Sequence, residues 1–347
     1  MANIYDVARR ASVSVATVSA VFNKSSYVSP ALEEKVQRAI RELNYTPNLL
    51  ARSMAKQQTL TLGVLIPDAA NPFFPEIVRG IEDCANAAGY SILLGSSDNQ
   101  TPKEEIYLRL FLSKRVDGIL LVKAPGGLST DLLASLRRNA PPVVLVDREY
   151  PALRADTVVA DDFGGGFAAT KHLLDLGHRR IGLVRGISGT STSDGRLRGY
   201  EEALGSKRIA CDDSLIVEGD YGIDSGYAAG LKLLAQRPTA VVVTNYLMTI
   251  GFLKAMEELG LACPRDVSIV SYDDFVWNDV FPPKLTSIVQ PKYAIGHTSA
   301  EILLARIAGK HKRPKFQELP NGLHVRDSTA PLKKIAAPKK SRKTGKK

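Results

Sequence analysis

The chain of 347 residues is 44% hydrophobic and carries a net charge of +10, which suffices for two or three domains with apolar cores. The charge is uneven: residues 1–60 hold 8 Lys/Arg against 4 Asp/Glu, residues 331–347 hold 8 Lys/Arg and no acid, and the rest is close to neutral. This distribution indicates a polyanionic partner at the ends of the chain.

Three scattered cysteines argue against a disulfide framework or zinc motif. No apolar run is long enough for a membrane span or a signal peptide, so we expect a cytoplasmic protein.

The segment from Ile4 to Asn23 predicts two short helices joined by a tight turn. Asn3 is placed to cap the first helix, whose apolar residues recur at i, i+3, i+4 and i+7, and Ser14 is placed to cap the second. A helix of about nine residues does not stand alone in water, which indicates either a recognition helix for the DNA major groove or a small helical hairpin without a DNA role. In the second helix we expect Val18, Val21 and Phe22 to face inward and Ala16, Thr17, Ser19, Ala20 and Asn23 to face outward.

Three stretches carry a family resemblance: YDVARRASVSVATVSAVFN, then YTPNLLARSMA, then LGVLIPDAANPFF. They resemble the lactose/galactose-repressor (LacI/GalR) family of bacterial transcription regulators, and the resemblance extends from Asn3 to about Asp327. It implies a repressor, not an enzyme, that binds a pseudo-palindromic double-stranded operator as a homodimer, needs no cofactor or membrane, and responds to a small-molecule effector, a sugar or sugar derivative. By resemblance, the DNA-binding residues are Tyr5, Ser14, Val15, Ala16, Thr17, Ser19, Ala20, Asn23, Asn48 and Met54.

A third helix is predicted to begin at Ser29-Pro30, with the serine as cap and the proline in the first turn. Asn44 is a suitable left-handed terminator for it. The basic residues of this region are either phosphate contacts or simply solvated. The predicted inward stripe is Leu32, Val36, Ile40 and Leu43, and the basic residues are Lys24, Lys35, Arg38 and Arg41.

The stretch 45–55 is expected to be extended at first and helical from Asn48. In the family that it resembles, this is a hinge helix that folds on DNA, pairs across the dimer and inserts an apolar wedge into the minor groove. The wedge position is Met54 in this chain, and its alternative role is packing against the partner's hinge. Ala20 stands where many family members carry a larger base-reading side chain, so it offers only an apolar contact, for instance to a thymine methyl. We therefore expect an operator that is read partly through its shape.

From Leu62 the pattern changes to short apolar strands that alternate with helices, and this rhythm restarts near residue 180. We predict an α/β fold: an N-terminal helix-turn-helix headpiece plus a two-lobed periplasmic-binding-protein-like domain of doubly wound parallel sheets. The segment 285–291 and the helix 293–308 are expected to return to the first lobe. The predicted boundaries are 1–46 for the headpiece, 47–60 for the hinge helix and linker, 61–161 and 290–320 for the first lobe, 162–289 and 321–330 for the second lobe, and 331–347 for a disordered basic tail.

Ligands bind at the carboxyl ends of strands in open parallel sheets, and polar and aromatic residues cluster at these ends in both lobes. Carboxylates and arginines grip vicinal hydroxyls while aromatic rings cover an apolar ring face, so the pattern suits a polyhydroxylated ligand. Asp147 and Asp273 have an alternative role as helix caps, Arg196 as a salt bridge between the lobes, and Phe73 as a core residue. By resemblance, and for Asp98 and Trp277 by position at strand ends, the predicted effector-binding residues are Phe73, Phe74, Asp98, Asp147, Arg196, Tyr221, Asn245, Asp273 and Trp277.

An enzyme is one competing interpretation. The stretch from Gly164 through Gly166 to Ala169 fits the dinucleotide fingerprint G-x-G-x-x-A, but the next strand ends in Arg185 instead of an acidic residue for the ribose. We therefore interpret these glycines as helix packing near the lobe boundary. The other alternative, a cytosolic or transport-type sugar-binding protein, leaves the basic headpiece unexplained. The basic tail is either a solvated tail or an additional nonspecific phosphate contact.

Overall fold

The computed structural model describes residues 2–23, 26–45, 58–138, 141–310 and 313–332. The chain divides into two compact units, Met1–Leu60 and Thr61–Lys347, which are described separately below. Several predictions lie outside the described residues: the contact assigned to Lys24, the hinge residues Asn48 and Met54, and the tail from residue 333.

The N-terminal unit contains three helices, α1 (Ile4–Ala11), α2 (Val15–Asn23) and α3 (Pro30–Glu42). Asn3 and Asp6 form a reciprocal capping box at α1, with hydrogen bonds of 3.1 and 3.0 Å between each side chain and the other residue's backbone N–H. Ser14 Oγ accepts a 3.0 Å hydrogen bond from Thr17 N at the start of α2. The predicted N-caps Asn3 and Ser14 are therefore confirmed, and so is the left-handed backbone of Asn44 (φ 46°). Ser29 occupies the N-cap position of α3 as predicted, but its side chain makes no capping hydrogen bond.

The core of this unit forms where the three helices meet, around Val7, Val18 and Val36, which are fully buried. The predicted stripe of α3 is wrong at its first position, because Leu32 is 37% exposed. Helices of eight and nine residues do not cover the full length of the thirteen-residue α3, so its inward face begins one turn later, at Val36.

The second unit alternates strands and helices in the predicted way. Its first half contains β1 (Thr61–Ile66), α4 (Phe73–Ala87), β2 (Ser91–Ser96), α5 (Thr101–Ser113), β3 (Gly118–Leu121), α6 (Thr130–Arg138), β4 (Val143–Val146), β5 (Asp156–Ala160), α7 (Asp162–Asp175) and β6 (Ile181–Arg185). Its second half contains α8 (Ser191–Ser206), β7 (Ile216–Glu218), α9 (Ile223–Ala235), β8 (Ala240–Val243), α10 (Tyr246–Glu258), β9 (Ser268–Tyr272), β10 (Thr286–Val289), α11 (Lys292–Ile307), β11 (Phe316–Leu319) and β12 (Gly322–His324).

The strands form two six-stranded sheets, one in each lobe. The first sheet has the order β11-β5-β4-β3-β1-β2 and is entirely parallel. The second has the order β12-β10-β9-β8-β6-β7 and is parallel except for β12, which runs antiparallel to β10. This arrangement confirms the predicted fold class. No helix in the described ranges is long and apolar enough to cross a membrane.

One predicted segment lies in the other lobe. The strand predicted within 285–291 does not return to the first lobe, because β10 pairs with β9 in the second sheet. This pairing agrees instead with the predicted boundary, which assigns residues 162–289 to the second lobe. The chain crosses between the sheets only after it, at Gln290 and Pro291, and α11 then packs on the first lobe against α4. Two further crossings follow β5 and β11, and the Asn321 side-chain amide donates a 2.8 Å hydrogen bond to Asp161 O between them.

Candidate functional site

Helix α2 presents small side chains, and none of its residues is charged. The absence of long charged side chains from this helix is compatible with close approach to base edges in a major groove. Ser14 serves as the cap and also lies 2.9 Å from Thr17 Oγ1 through its Oγ. Contacts from these residues to DNA stay a prediction. Ser14 and Ala16 are exposed, Val15, Thr17 and Ser19 are half-buried, and Tyr5 of α1 is 66% exposed.

Ala20 is the exception on this face. The prediction that it faces outward is wrong, because its side chain is buried, with 9% exposed. A single methyl group extends too short a distance from the backbone to stand clear of neighbouring side chains. Asn23 ends α2, and nothing further is described of its side chain.

A cleft between the two sheets lies at the carboxyl ends of their strands, as the topology requires. It encloses about 360 Å³ of empty space, part of it open to solvent. Most of the predicted effector residues come together here, and five residues that the sequence analysis did not assign line it as well. The predicted ones are Phe73, Phe74, Asp147, Arg196, Tyr221, Asn245 and Asp273, and the additional ones are Asn71, Asn99, Arg148, Thr192 and Gln290.

Arg196 is the most extensively bonded side chain of the cleft. Its Nε donates to Asp162 Oδ1 (2.7 Å), and its Nη1 donates to Thr244 O (2.7 Å). Its Nη2 donates to Gln290 Oε1 (3.3 Å), and Gln290 in turn donates to Asp273 Oδ1 (2.7 Å). The guanidinium lies over the ring of Tyr272, 4.4 Å from its centroid. Arg196 is therefore held by second-lobe residues and by Gln290, where the chain crosses between the lobes. Among the described residues it forms no ion pair with the first lobe.

The first lobe contributes Asp147 and Arg148, which follow β4. Arg148 Nη1 donates to Asn99 Oδ1 and to Lys123 O, both at 2.9 Å. Asp147 Oδ1 and Arg148 Nε are buried, and neither has a hydrogen-bond partner within the described residues. Burial raises the pKa of the Asp147 carboxyl to about 6, although Arg148 and Arg196 oppose the shift. These two unsatisfied atoms are suitable partners for the hydroxyl groups of a ligand.

The backbone of the cleft is strained at four non-glycine residues. Asn99, Asp147, Tyr221 and Asp273 have φ values of 55°, 64°, 72° and 67°, in the left-handed region that non-glycine residues adopt only uncommonly. Backbone strain of this kind is concentrated at functional sites, where the surrounding structure compensates for it. Neither Asp147 nor Asp273 caps a helix, whereas Asn245 does, through a hydrogen bond from Met248 N to its side chain.

Among the described residues, two contacts join the lobes at the strand ends of the cleft, and Lys292 Nζ of the first lobe also donates to Asp274 O (3.3 Å) of the second. The guanidinium of Arg148 lies 5.4 Å from the ring centroid of Tyr221, and Glu149 N donates a 2.9 Å hydrogen bond to Ser191 Oγ. Arg148 and Glu149 belong to the first lobe, whereas Tyr221 and Ser191 belong to the second. The structure therefore shows a closed cleft, and its opening would break both contacts.

Asp98 and Trp277 do not line the cleft, which corrects their assignment. Asp98 and Asn99 both have positive φ, so the chain reverses here and Asp98 pairs with Lys103 (2.5 Å) while Asn99 faces the cleft. Trp277 lies on a short turn beyond β9, where its ring stacks on Phe275 at 5.6 Å and it is 40% exposed.

The additional lining residues carry signals that differ in strength. Asn99 and Arg148 directly follow assigned residues, and Asn71 lies two positions before Phe73, so the strand-end rule covers all three. Gln290 follows β10, and it was missed because that strand was placed in the wrong lobe. Thr192 is in the first turn of α8 and has no distinguishing sequence signal.

The glycines of the fingerprint allow close helix packing. A Cβ atom on Gly166 would lie 2.2 Å from Arg196 O, and one on Gly199 would lie 2.2 Å from Phe163 O. At these two glycines no side chain separates helices α7 and α8, so their backbones approach closely. This close contact positions Arg196, which lies on α8.

Comparisons with known proteins agree with this architecture. Residues 3–48 match the family of bacterial regulatory proteins, lacI family, and residues 170–329 match the periplasmic binding protein-like domain. The chain is 39% identical to the HTH-type transcriptional repressor PurR of Escherichia coli over 95% of its own length and 97% of that protein. It is 36% identical to PurR of Photobacterium profundum, over 96% and 100% of the two chains.

Solved structures show the same relationship. The Lac repressor dimer bound to operator and the anti-inducer ONPF superposes with a TM-score of 0.84 at 30% identity, over 95% of this chain and 99% of that one. The transcriptional regulator CelR in complex with cellobiose superposes with a TM-score of 0.72 at 32% identity, over 94% and 100%. The chain belongs to the LacI family of bacterial regulatory proteins. It is a DNA-binding transcriptional repressor of that family and not an enzyme.

Proposed function

We propose that this chain is a cytoplasmic homodimer that binds a pseudo-palindromic operator, with helix α2 of each copy in one half-site. A neutral polyhydroxylated effector, a sugar or sugar derivative, binds in the cleft and controls operator affinity. The observation that carries the effector class is the composition of the cleft, in which two carboxylates and two guanidiniums converge beside aromatic rings.

The charges of the cleft favour a neutral ligand. Asp147 and Asp273 balance Arg148 and Arg196, so no excess positive charge is available for a phosphate group. Phe73 and Phe74 pack edge to face at 5.1 Å and present a rigid apolar wall. Hydroxyl groups, which both donate and accept, satisfy carboxylates and guanidiniums at once. The CelR relative was solved with cellobiose, which supports the same ligand class.

An exposed apolar surface in the second lobe supports the homodimer. Trp277, Val280 and Phe281 are 40%, 66% and 66% exposed and are adjacent on one short turn. Grouped large apolar side chains of this kind are typical of protein interfaces. A dimer places two copies of α2 for two half-sites. The hinge helix around Met54 stays a prediction within this proposal.

Thermal unfolding of the full-length protein with a panel of sugars, sugar phosphates and purine bases tests the effector class. A neutral sugar at a hundred times its dissociation constant is expected to stabilise the protein by about 2.7 kcal/mol. The Asp273→Asn variant should lose this response, whereas Asp98→Asn should keep it, because Asp98 faces away from the cleft. Stabilisation by sugar phosphates or purines alone would contradict the proposal.

A further inference from the structure

The parallel strands of the first sheet all begin on the side opposite the cleft. We refer to this row of strand amino ends as the second edge of the sheet. The segments that precede β3, β4, β5 and β11 reach this edge, and each contains exposed cationic side chains. We call this set the basic edge. It consists of Lys114, Arg115, Arg137, Arg138, Arg154, Lys310, Arg313 and Lys315.

Acidic residues do little to neutralise this surface. Asp147 and Glu149 of these segments lie at the opposite, cleft-facing end, so the described acids at the starts of the strands are Asp117 and Asp156. Asp156 is buried and accepts hydrogen bonds of 2.7 and 2.8 Å from Arg306 and one of 2.7 Å from Lys315 N. Its charge is therefore used inside the fold, and the exposed edge keeps a large positive excess.

The second lobe shows that the fold does not require this excess. The segments that precede its strands carry basic residues as well, but acids pair with three of them. These pairs are Arg180 with Asp212 (3.4 Å), Lys207 with Asp175 (3.6 Å) and Arg265 with Asp266 (2.8 Å). Two sheets of similar topology thus differ in charge at the same edge, which indicates a partner specific to the first lobe.

The basic edge also has a concave part with oriented arginines. A hollow with about 1180 Å³ of empty space, much of it open to solvent, is lined by Arg137, Arg154 and Arg306. Arg137 Nε donates a 2.9 Å hydrogen bond to Ala152 O, which holds this guanidinium in place, whereas Arg306 is neutralised by its ion pair with Asp156. Planar guanidinium groups in fixed positions suit phosphate oxygens.

We propose that the basic edge binds backbone phosphates of duplex DNA, in addition to the contacts made by the headpiece. The cations follow the starts of neighbouring strands about 4.8 Å apart, so they form an extended row and not a single anion site. Duplex DNA presents one charge per about 1.7 Å of its axis, which matches an extended row. Strand β1 begins at the same edge with Thr61, the first residue after the N-terminal unit, and Thr61 O accepts a 2.8 Å hydrogen bond from Asp117 N. The inference rests on the proposed operator binding.

The test is the salt dependence of DNA binding by the full-length protein. The basic-edge variant combines Lys114→Gln, Arg138→Gln and Arg154→Gln. A matched control combines Arg179→Gln, Arg208→Gln and Arg237→Gln in the second lobe, which removes the same charge from exposed positions. Dissociation constants are measured for an operator duplex and a scrambled duplex between about 50 and 300 mM NaCl. The slope of log affinity against log salt then counts phosphate contacts, because each contact contributes about 0.9 to it.

The basic-edge variant is expected to lower the magnitude of that slope by about one to three. It should also weaken the affinity for both duplexes by a similar factor, on the order of tenfold, while the control keeps the wild-type slope. Equal slopes for the wild type and the basic-edge variant, or equal losses in both triple variants, would overturn the proposal and leave operator binding by the headpiece intact. A wild type that binds no operator would overturn the proposed function and this inference together. A single Arg154→Glu variant gives the same readout if the triple variant does not fold.

Discussion

Three buried carboxyl groups in and beside the cleft respond strongly to burial. Burial raises the pKa of Asp162 to about 7, against the opposing charge of Arg196, and it also raises the pKa of Asp273. The pKa of Asp147 is raised to about 6, and its Oδ1 has no partner within the described residues. Asp147 is therefore the carboxyl group with unused capacity to accept hydrogen bonds from a ligand.

Effector affinity is expected to fall as the pH decreases through about 6. Hydroxyl donors of the effector favour the carboxylate form of Asp147, so its protonation competes with binding and weakens it by up to about tenfold per pH unit. Isothermal titration calorimetry between about pH 5 and pH 8, a range set by this pKa, measures the dependence. The Asp147→Asn variant should flatten it below about pH 6, and Asp98→Asn should not. A wild-type profile that is flat across this range would show that the ligand does not use the Asp147 carboxylate.

At the level of elements, the cleft depends on how closely helices pack behind it. Helices α7 and α8 contact each other through Gly166 and Gly199, where backbone of one helix meets backbone of the other. Arg196 is on α8, and its ion-pair partner Asp162 is the first residue of α7. The spacing of these two helices therefore sets the position of the guanidinium in the cleft.

The Gly166→Ala substitution is expected to destabilise the protein by about 1–3 kcal/mol and to weaken effector binding, because the new methyl group overlaps Arg196 O and separates the helices. Gly205→Ala, near the end of α8, is the control and should be neutral or slightly stabilising, because no neighbouring atom lies within 4 Å of the place that the new methyl group would take. Chemical denaturation and calorimetry check both effects. Equal stability of the two variants would contradict the packing role.

In the N-terminal unit, the capping box at α1 supports a small core. Asn3→Ala removes both backbone N–H bonds to the Asn3 side chain and is expected to cost about 1 kcal/mol of stability of this unit. Because only this unit is affected, operator affinity should fall while the effector dissociation constant stays unchanged. Fluorescence anisotropy with labelled operator measures the operator affinity. The Asn3→Asp variant keeps a side-chain acceptor and should therefore retain the wild-type operator affinity. A loss that Asp does not restore would rule out the cap as the cause.

Over the whole molecule, three crossings connect the lobes, and their closed arrangement is maintained by Arg148 with Tyr221 and by Glu149 with Ser191. A ligand that contacts both lobes adds to these contacts and so favours closure. Coupling of this kind is a free energy shared between two binding sites, which makes it reciprocal.

The factor by which a saturating effector changes operator affinity should equal the factor by which operator changes effector affinity. A value between about 5 and 150 is typical of such coupling. Anisotropy and calorimetry measure the two factors independently. Deletion of residues 1–60 should abolish specific operator binding and leave effector binding nearly intact, and a truncated protein that still protects the operator would exclude the headpiece as the reader.

The sequence by itself determined the helices and strands of this protein, because the spacing of apolar residues and the capping residues act within a few positions of the chain. Asn3, Ser14 and Asn44 delimit helices as predicted. The βαβ rhythm identified the two sheets. The family resemblance, together with the position of these residues at strand ends, also indicated Asp147, Tyr221 and Asp273 of the cleft. Only the tertiary structure decided between the two predicted places for β10, which joins the second sheet, and it thereby showed that Gln290 links Arg196 to Asp273. It also decided that Asp98 and Trp277 lie away from the cleft, because crossings and turn directions depend on contacts between residues far apart in the chain.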